Sequence, residues 1–378
     1  MSWRDSRLGD VLTLQRGHDL PNTVRLEGDI PVVSSSGITG YHNESKASAP
    51  GVVTGRYGTL GEVFYIEQDY WPLNTALYVT DFKGNSPRFI AYLLRNVLRN
   101  YKSDKAAVPG VNRNVLHEIK VHFPDAHVQD RIASILSAYD DLIENNRRRI
   151  QLLEQAARLL YKEWFVYLRF PGHEHVKIKD GVPEGWERQS LSKIAESVSY
   201  GFTASSSQEE VGPKFIRITD IVPPMLNWDE VPFCEATAVD IQRNRLEVGD
   251  VVVARTGATV GYAKRISYLD CQAVYASYLV RFRFSTQATS FIAGVFMESD
   301  VYKDFVRNHA GGAAQPNANA KVLGSAEILV PTQILQEQFS ETISAIYCQR
   351  DTLIRQNSRL NKARDLLLPR LMNGELAV

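Results

Sequence analysis

One short motif occurs twice in this chain, each time at the same distance from a proline and a long helical stretch. Residues 109–116 (Pro-Gly-Val-Asn-Arg-Asn-Val-Leu) are followed by Pro124, and residues 316–323 (Pro-Asn-Ala-Asn-Ala-Lys-Val-Leu) are followed at the same spacing by Pro331. Each proline precedes a long segment with helical periodicity. The chain therefore predicts two units, each a globular part followed by a helix, with pseudo-twofold character.

Two further landmarks repeat in the same order. A tryptophan and a short Leu/Ile/Val-containing segment open each half, at residues 3–11 and 186–194. Midway through each half an arginine precedes a glycine-rich turn, at residues 56–61 and 255–261. The period is close to half the chain, which favours a duplication over a solenoid of short repeats.

Length and composition predict a soluble globular protein. The chain has 378 residues, 44% of them hydrophobic and 23% charged, which suggests about two to four domains. Three scattered cysteines, Cys234, Cys271 and Cys348, favour a reducing cytoplasm over a disulfide scaffold. We expect no signal peptide, and no apolar run approaches the ~20 residues that cross a bilayer. The predicted location is therefore cytoplasmic.

The charge balance limits the kind of DNA binding that can be expected. Lysine plus arginine equals aspartate plus glutamate, at 43 each. A zero net charge is not typical of a protein that coats nucleic acid without sequence preference. A local basic face is nevertheless sufficient for binding at a specific sequence.

The order of elements predicts an α+β (mixed α/β) fold, with two repeated globular domains separated by two long antiparallel coiled-coil helices and pseudo-twofold character. Short β-rich segments alternate with Gly/Ser/Asn clusters, and further helices are predicted at 86–101 and 287–307. Pro171-Gly172 is predicted to stop the first long helix, and Pro369 to end or kink the second. The predicted boundaries are 1–124 and 172–331 for the globular domains, and 125–171 and 332–378 for the spacer helices.

Each long helix carries an apolar stripe. From Ile132 to Trp164 the stripe steps alternately by four and three residues, over more than four heptads. From Phe339 to Leu367 a second stripe is interrupted by polar residues. These interruptions are Arg350, Asn357 and Arg364. Because neither stripe can remain in water, we expect the helices to pair antiparallel, each on the order of 60 Å long.

Asn146 and Asn357 lie within these stripes. Buried polar residues can fix the register of paired helices at a cost in stability. In the alternative, both asparagines face solvent at the edge of the seam. The sequence favours neither interpretation.

Five segments in a fixed order indicate a family. They are residues 8–10 (Leu-Gly-Asp), 56–61 (Arg-Tyr-Gly-Thr-Leu-Gly), 112–116 (Asn-Arg-Asn-Val-Leu), 129–143 (Gln-Asp-Arg-Ile-Ala-Ser-Ile-Leu-Ser-Ala-Tyr-Asp-Asp-Leu-Ile) and 366–376 (Leu-Leu-Leu-Pro-Arg-Leu-Met-Asn-Gly-Glu-Leu). No segment is specific alone. Together, and over essentially its whole length, the chain resembles the specificity subunit of a type I restriction-modification enzyme. In the second copy Gly55-Arg56 becomes Ala254-Arg255, as expected where two domains recognise different bases.

The resemblance implies a division of labour. Each globular domain would be a target recognition domain for one half of a split double-stranded DNA site. The helices would set the gap and dock two methyltransferase subunits, and restriction subunits that translocate DNA would complete the enzyme. The resemblance further implies that this chain is non-catalytic and binds no cofactor or metal; S-adenosylmethionine, ATP and Mg²⁺ are expected on the partner subunits.

The glycine-rich turns and nearby polar loops supply candidate DNA-binding residues. Glycine lets a backbone approach a partner closely, and arginine can donate to guanine O6 and N7 or to a phosphate. A single Arg-x-Gly is more often an ordinary turn, and polar loops are usually only solvated, but the recurrence at equivalent places favours a shared role. The candidates are Ser35, Arg56, Tyr57, Gly58, Lys102, Asn112, Arg113, Asn114, Arg217, Thr219, Arg255, Thr256, Gly257, Lys264, Asn319 and Lys321.

The sequence contains neither a G-x-x-x-x-G-K-[ST] phosphate loop nor the Asn-Pro-Pro-aromatic string of adenine methyltransferases. Residues 118–120 (Glu-Ile-Lys) match a nuclease-like E-x-K fragment, but their counterpart lacks the lysine, and we interpret them as part of a strand. Residues 173–175 (His-Glu-His) are interpreted as a linker. Two alternatives stay open: a self-contained nuclease or methyltransferase, and a scaffold whose duplicated domains bind protein or sugar.

Overall fold

The computed structural model describes residues 3–56, 61–99, 101, 111–223, 225–311 and 316–378. The described chain is mixed α/β, which confirms the predicted class. It divides into two compact units: Met1–Ile143 with Arg359–Val378, and Glu144–Ser358. These units divide both long helices, so the four-part division drawn from the sequence stays a prediction.

Short strands and helices precede the end of the first long helix. The strands are β1 (Trp3–Arg7), β2 (Thr13–Arg16), β3 (Ile30–Ser34), β4 (Gly37–His42), β5 (Gly51–Gly55), β6 (Val63–Ile66), β7 (Trp71–Pro72), β8 (Ala76–Asp81) and β9 (Lys120–Pro124). The helices are α1 (Leu8–Val11), α2 (Pro87–Arg99), α3 (Arg113–His117) and the long α4 (Ala126–Tyr161).

The rest of the chain repeats this succession. Its strands are β10 (Ile178–Lys179), β11 (Val182–Pro183), β12 (Glu187–Ser190), β13 (Ser197–Tyr200), β14 (Ser206–Ser207), β15 (Lys214–Ile216), β16 (Phe233–Cys234), β17 (Val251–Ala254), β18 (Ala263–Arg265), β19 (Ala273–Tyr275), β20 (Leu279–Arg283) and β21 (Glu327–Val330). Its helices are α5 (Leu191–Ile194), α6 (Ile218–Ile221), α7 (Ala238–Asn244), α8 (Gln287–Met297), α9 (Asp300–His309), α10 (Ala320–Gly324) and the long α11 (Gln333–Met372).

The two units have the same strand plan. A four-stranded antiparallel sheet has the order β2-β8-β5-β6 in the first unit and β13-β20-β17-β18 in the second. A smaller sheet contains one parallel pair, β3 with β7 or β15 with β19. An antiparallel pair, β1 with β9 or β12 with β21, joins the beginning and end of each mixed part. The predicted duplication therefore extends to strand order.

In both units the long helices pack onto the core of the mixed part. In the first unit, Ile132 and Leu136 of α4 and Leu371 of α11 are buried in one cluster with Phe89 of α2. In the second, one cluster buries a different set of helix residues with the sheet and α8. This set is Ala157, Tyr161, Phe339, Ile343 and Tyr347. Burying a large apolar side chain contributes about 1.5–3 kcal/mol, so these residues fasten each helix stretch to its own unit.

Within the second unit the two long helices contact each other in opposite chain directions. Asn146 is bonded to Asn357, Ile150 clusters with Leu353, and the Tyr161 ring lies 6.4 Å from the ring of Phe339. Position along α4 therefore rises as position along α11 falls. Within the first unit, Arg364 of α11 is paired with Asp140 of α4.

The two asparagines are buried, so the solvent-edge interpretation is wrong. Asn146 is 1% exposed and Asn357 is 8% exposed. The Nδ2 of Asn146 donates to Oδ1 of Asn357 at 2.9 Å. The other interruptions of the second stripe also have partners: Arg350 binds Asp351 at 2.8 Å, and Arg364 is paired as described above. The polar positions of the stripe are therefore satisfied rather than solvated.

The ends of the long helices differ in part from the prediction. Asp125 caps α4, because its Oδ1 accepts from Val128 N at 3.1 Å. The α-helix ends at Tyr161 and continues as a π-helical turn, Lys162–Val166, well before Pro171-Gly172. In the second helix, Pro369 does not end α11, which continues to Met372. The buried side chains on either side of that proline hold the last turn against the core of the first unit.

The helix predicted within residues 287–307 is confirmed, and the structure has a second helix in the same segment. Helix α8 ends at Met297, and Ser299 begins α9 by accepting from Tyr302 N at 3.3 Å. The hydroxyl of Ser299 also donates to Phe296 O at 2.6 Å. A serine that caps one helix while bonding the end of the previous one favours a break that apolar periodicity alone does not show.

Replacing one buried asparagine should destabilise the protein more than replacing both. Asn357→Leu leaves the buried Asn146 amide without this partner, and we expect the free energy of unfolding to fall by about 1–3 kcal/mol. The double variant Asn146→Leu/Asn357→Leu should recover most of that loss. Urea unfolding measures both, with Gln356→Leu on the exposed face as control. Additive losses in the double variant would contradict a direct bond between the two amides.

Candidate nucleic-acid interface

The two predicted arginine turns are built on the same backbone frame. Arg56 directly follows β5, and Arg255 directly follows β17. The Arg56 N–H donates to the Thr75 carbonyl at 3.0 Å, and the Arg255 N–H donates to the Tyr278 carbonyl at 3.0 Å. Thr75 immediately precedes β8 and Tyr278 immediately precedes β20, and these strands have the same place in the large sheet of each unit. Each arginine therefore starts a turn fixed at the same edge.

Each arginine turn also binds the repeated motif of its own unit. The Arg56 carbonyl accepts from Val111 N at 2.9 Å, and the Arg255 carbonyl accepts from Ala318 N at 2.8 Å. The predicted equivalence of the turns and of the motifs is confirmed, because the same contact joins them in both units. The structure thus brings together sequence segments that lie more than fifty residues apart.

The asparagines of the two motifs have a structural role as helix caps. The Asn112 side chain accepts from Asn114 N at 3.0 Å and begins α3. The Asn319 side chain accepts from Val322 N at 2.9 Å and begins α10. The side-chain oxygen of each asparagine therefore accepts a hydrogen bond within the chain, while both residues are exposed.

Three further candidates are exposed next to these caps. Arg113 and Asn114 lie in the first turn of α3, and Lys321 lies in the first turn of α10. Their side chains extend from the segment that is bonded to the arginine turn. The structure therefore groups Arg56 with Arg113 and Asn114, and Arg255 with Lys321.

In the second unit the Arg255 side chain is held from several sides. Its guanidinium lies over the Tyr200 ring, 5.0 Å from the centroid. Its two terminal nitrogens make long hydrogen bonds of 3.5 Å, to the Ser277 carbonyl and to Asn317 Oδ1. The surrounding groups therefore fix the position of the cation with weak contacts.

Thr256 and Gly257 continue this turn. Thr256 pairs with Asn317 in an isolated bridge, and the Gly257 N–H donates to the Pro316 carbonyl at 2.9 Å. Gly257 has φ +78°, in the left-handed region that favours glycine. A Cβ at this position would meet nothing within 4 Å. The glycine is therefore needed for its backbone conformation, and the space beside it is open.

The sequence analysis missed a second duplicated feature, a glycine after the first strand of the large sheet. Gly17 follows β2 and Gly201 follows β13, and their N–H groups donate to Ala76 O at 3.1 Å and Leu279 O at 3.3 Å. A Cβ on Gly17 would lie 2.3 Å from the Leu73 carbonyl oxygen. On Gly201 it would lie only 2.2 Å from a backbone oxygen. The signal was present in the sequence as Arg16-Gly17 and Tyr200-Gly201.

The remaining candidates are distributed differently. Arg217 binds Asp220 with two side-chain nitrogens, at 3.1 and 3.0 Å, and this hydrogen-bonded pairing raises the pKa of Arg217. Thr219 is exposed on α6. Ser35 is half-buried in the turn between β3 and β4. Among the described residues, the hydrogen bonds of Arg217 go to Asp220 and Ser206, away from the arginine turns.

Lys264 lies on β18, in the neighbourhood of α4. Burial raises the pKa of the Glu154 carboxyl on α4, and the nearby Lys264 ammonium acts against that rise. Lys264 is therefore associated with the long helix. Tyr57, Gly58 and Lys102 fall outside the described residues. The role of each candidate in DNA binding stays a prediction.

The described residues offer little support for metal or nucleophilic chemistry. Across the described ranges, no cluster of three or more His, Cys, Asp or Glu side chains could hold a metal ion. All three cysteines are free thiols, and burial raises the pKa of Cys234 to about 11. Glu118 of the E-x-K fragment pairs with Arg7 at 2.5 Å, and Lys120 begins β9, in agreement with the structural interpretation. None of the helices described combines the length and apolarity needed to cross a membrane.

Comparisons with known proteins find similarity to one family. Residues 1–155 match the family model described as type I restriction modification DNA specificity domain. The type I restriction enzyme MjaIX specificity subunit of Methanocaldococcus jannaschii is 24% identical over 306 residues, covering 78% of this chain and 70% of that protein. The HindI specificity subunit of Haemophilus influenzae is 21% identical over 387 residues, covering 84% of each. The chain is thus similar to specificity subunits of type I restriction-modification enzymes.

The fold agrees with this family. A crystal structure of the type I restriction-modification S subunit from M. genitalium superposes with a TM-score of 0.61 at 13% sequence identity. The match covers 98% of this chain and 96% of that one. At this low identity the comparison shows a shared fold, and the loop side chains of this chain have to be interpreted from its own structure.

The clash at the duplicated glycines gives a stability test. Gly201→Ala places a methyl group against a backbone carbonyl that cannot rotate away, and Gly17→Ala does the same in the first unit. We expect each to lower the free energy of unfolding by about 1–3 kcal/mol. Gly311→Ala is the control, because its Cβ would meet nothing within 4 Å. Equal effects of Gly201→Ala and Gly311→Ala on urea unfolding would show that the close approach is not rigid.

Proposed function

We propose that this chain is the non-catalytic DNA-recognition subunit of a type I restriction-modification complex, and that it recognises a bipartite target with a fixed gap. The observation that supports this best is the duplicated arginine turn, held in each unit by the same hydrogen bonds to the central strand and to the repeated motif. Two copies of one frame with different side chains suit the recognition of two different half-sites.

We propose that α4 and α11 form an antiparallel coiled coil that measures the gap. Helix α11 contains 40 residues, and a helix of that length extends on the order of 60 Å. One turn of DNA advances about 34–36 Å, so two recognition domains held a turn apart would meet the same face of the duplex. The buried Asn146–Asn357 bond supports a single register, which a ruler requires.

The proposed partners follow from the family. Two methyltransferase subunits would dock on the long helices, and restriction subunits would join them for cleavage. S-adenosylmethionine, ATP and Mg²⁺ are assigned to those partners, and this chain is proposed to bind none of them. The cytoplasm remains the predicted location of the complex.

The alternative functions make different predictions for the purified chain. A nuclease or a self-contained methyltransferase would turn over DNA alone, in the presence of a divalent metal or S-adenosylmethionine. A protein- or sugar-binding scaffold would not distinguish a split DNA target from random duplex in competition binding. The proposed recognition subunit should show no turnover alone and should prefer its target over random duplex.

An insertion in the spacer should change the gap and leave the bases unchanged. Four residues inserted before Asn146 add roughly 6 Å of helix, which corresponds to about one or two base pairs at about 3.4 Å each. Mapping methylated adenines in the host genome, with and without the inserted chain, measures the gap. The control is the same insertion after Gly181, in the exposed hairpin between β10 and β11. A change in the bases recognised would count against the spacer role.

Removing one turn arginine should affect one half-site. Arg255→Ala should relax the base preference of the half-site recognised by the second unit and leave the other unchanged, since the frame of the first unit keeps its own contacts. Arg188→Ala removes an equal charge from an exposed strand position of the same unit and serves as control. If both halves of the methylated target changed equally, the two domains would not act independently.

A further inference from the structure

One backbone carbonyl has the same place in both units and accepts a hydrogen bond from an arginine in each. The Asn74 N–H donates to the His18 carbonyl at 2.9 Å, and the Ser277 N–H donates to the Phe202 carbonyl at 2.9 Å. These matching bonds make the Asn74 and Ser277 carbonyls equivalent. Both lie in the segment that leads into the central strand of the large sheet, directly beside the arginine turn.

The arginine that binds this carbonyl comes from a different strand in each unit. In the second unit it is Arg255, after β17, which donates to Ser277 O at 3.5 Å. In the first unit it is Arg16, at the end of β2, whose Nε donates to Asn74 O at 3.4 Å. By its place in the backbone, Arg255 corresponds to Arg56. By the carbonyl that its side chain binds, Arg255 corresponds to Arg16.

The strand register explains the exchange. Arg16 is opposite Leu77 and precedes Gly17, whereas Tyr200 is opposite Val280 and precedes Gly201. Arg16 therefore occupies the place of Tyr200, the ring over which Arg255 lies. In the first unit that ring is absent and the carbonyl is bound by Arg16. The Tyr200 ring and the Ser277 carbonyl, which contact Arg255 in the second unit, are thus matched in the first unit by Arg16 and the Asn74 carbonyl that it binds.

We propose that Arg16 is the specificity-determining arginine of the first recognition domain, in the role that Arg255 has in the second, and that it recognises a guanine in the first half-site. This inference rests on the proposed function of the chain. It moves the expected base contact of the first domain from the turn after β5 to the end of β2.

The chemistry of the guanidinium suits this role. The long hydrogen bond from Nε restrains the group weakly and leaves the two terminal nitrogens as a fork, which matches guanine O6 and N7. Among the described residues, Arg16 is exposed and has no other hydrogen bond or ion pair. Lysine can replace arginine at a phosphate but not at this bidentate edge. Recognition of a guanine and contact with a phosphate can therefore be separated by substitution.

The experiment begins from the target itself. Mapping methylated adenines in the host genome, with and without the chain, gives the two half-sites. Duplexes that carry this target, or the target with one base pair changed at a time, are then used in competition binding with the assembled complex. The variants are Arg16→Ala, Arg16→Lys and Arg56→Ala, and Arg4→Ala removes an equal charge from an exposed position of β1 in the same unit.

We expect Arg16→Ala to weaken binding to the target roughly tenfold or more, and to abolish the preference at one guanine of the first half-site. Arg16→Lys should fail to restore that preference. Arg56→Ala should have a smaller effect on base preference, and Arg4→Ala should leave it unchanged. Thermal unfolding of Arg16→Ala should match the wild type, because the side chain is exposed.

Three outcomes would overturn the inference. The first is that Arg16→Ala weakens binding equally to all sequences while Arg16→Lys restores it fully, which indicates a phosphate contact. The second is a larger loss of base preference in Arg56→Ala, and the third is an unchanged preference in Arg16→Ala. The Arg255→Ala variant separates this failure from failure of the proposed function. If it still alters one half-site, only the assignment of Arg16 is wrong; if neither variant alters any preference, the proposed function also fails.

Discussion

The structure depends on the burial of the apolar stripes of the two long helices. An isolated helix would expose its stripe to water. In each unit, α4 and α11 bury part of their stripes against the core of a mixed α/β part. The Asn146–Asn357 bond makes one register better than its neighbours, since a slip of the helices would leave a buried amide without its partner. In each unit the helix stretches and the mixed α/β part bury apolar surface against each other, and a shift of one on the other would expose that surface.

The duplicated frame separates what is constant from what can vary. Backbone hydrogen bonds fix the arginine turn, the capped short helix and the glycine after the first strand in the same way in both units. The side chains on this frame differ, with Arg16 in one unit and Tyr200 in the other. Backbone bonds do not depend on side-chain identity, so the frame tolerates different side chains in the two units. Such an arrangement suits two domains with a common origin and different targets.

Several elements could be predicted because their signals are local. The stripe from Ile132 to Trp164 and the duplication follow from periodicity and repeated motifs. The differences arise where distant packing decides. Pro369 does not end helix α11, whose neighbouring residues are buried in the first unit, and the segment 287–307 contains two helices with a cap at Ser299 that periodicity does not record.

The sequence by itself determined the duplication, the mixed class, the long helices and the family resemblance, because these follow from repeated motifs and apolar spacing along the chain. Only the tertiary structure decided that the asparagines are buried together and that the motif asparagines are helix caps. It also decided that Arg16 shares a carbonyl position with Arg255. Such relations join residues far apart in the chain, and they depend on strand register and side-chain direction, which a linear pattern does not contain.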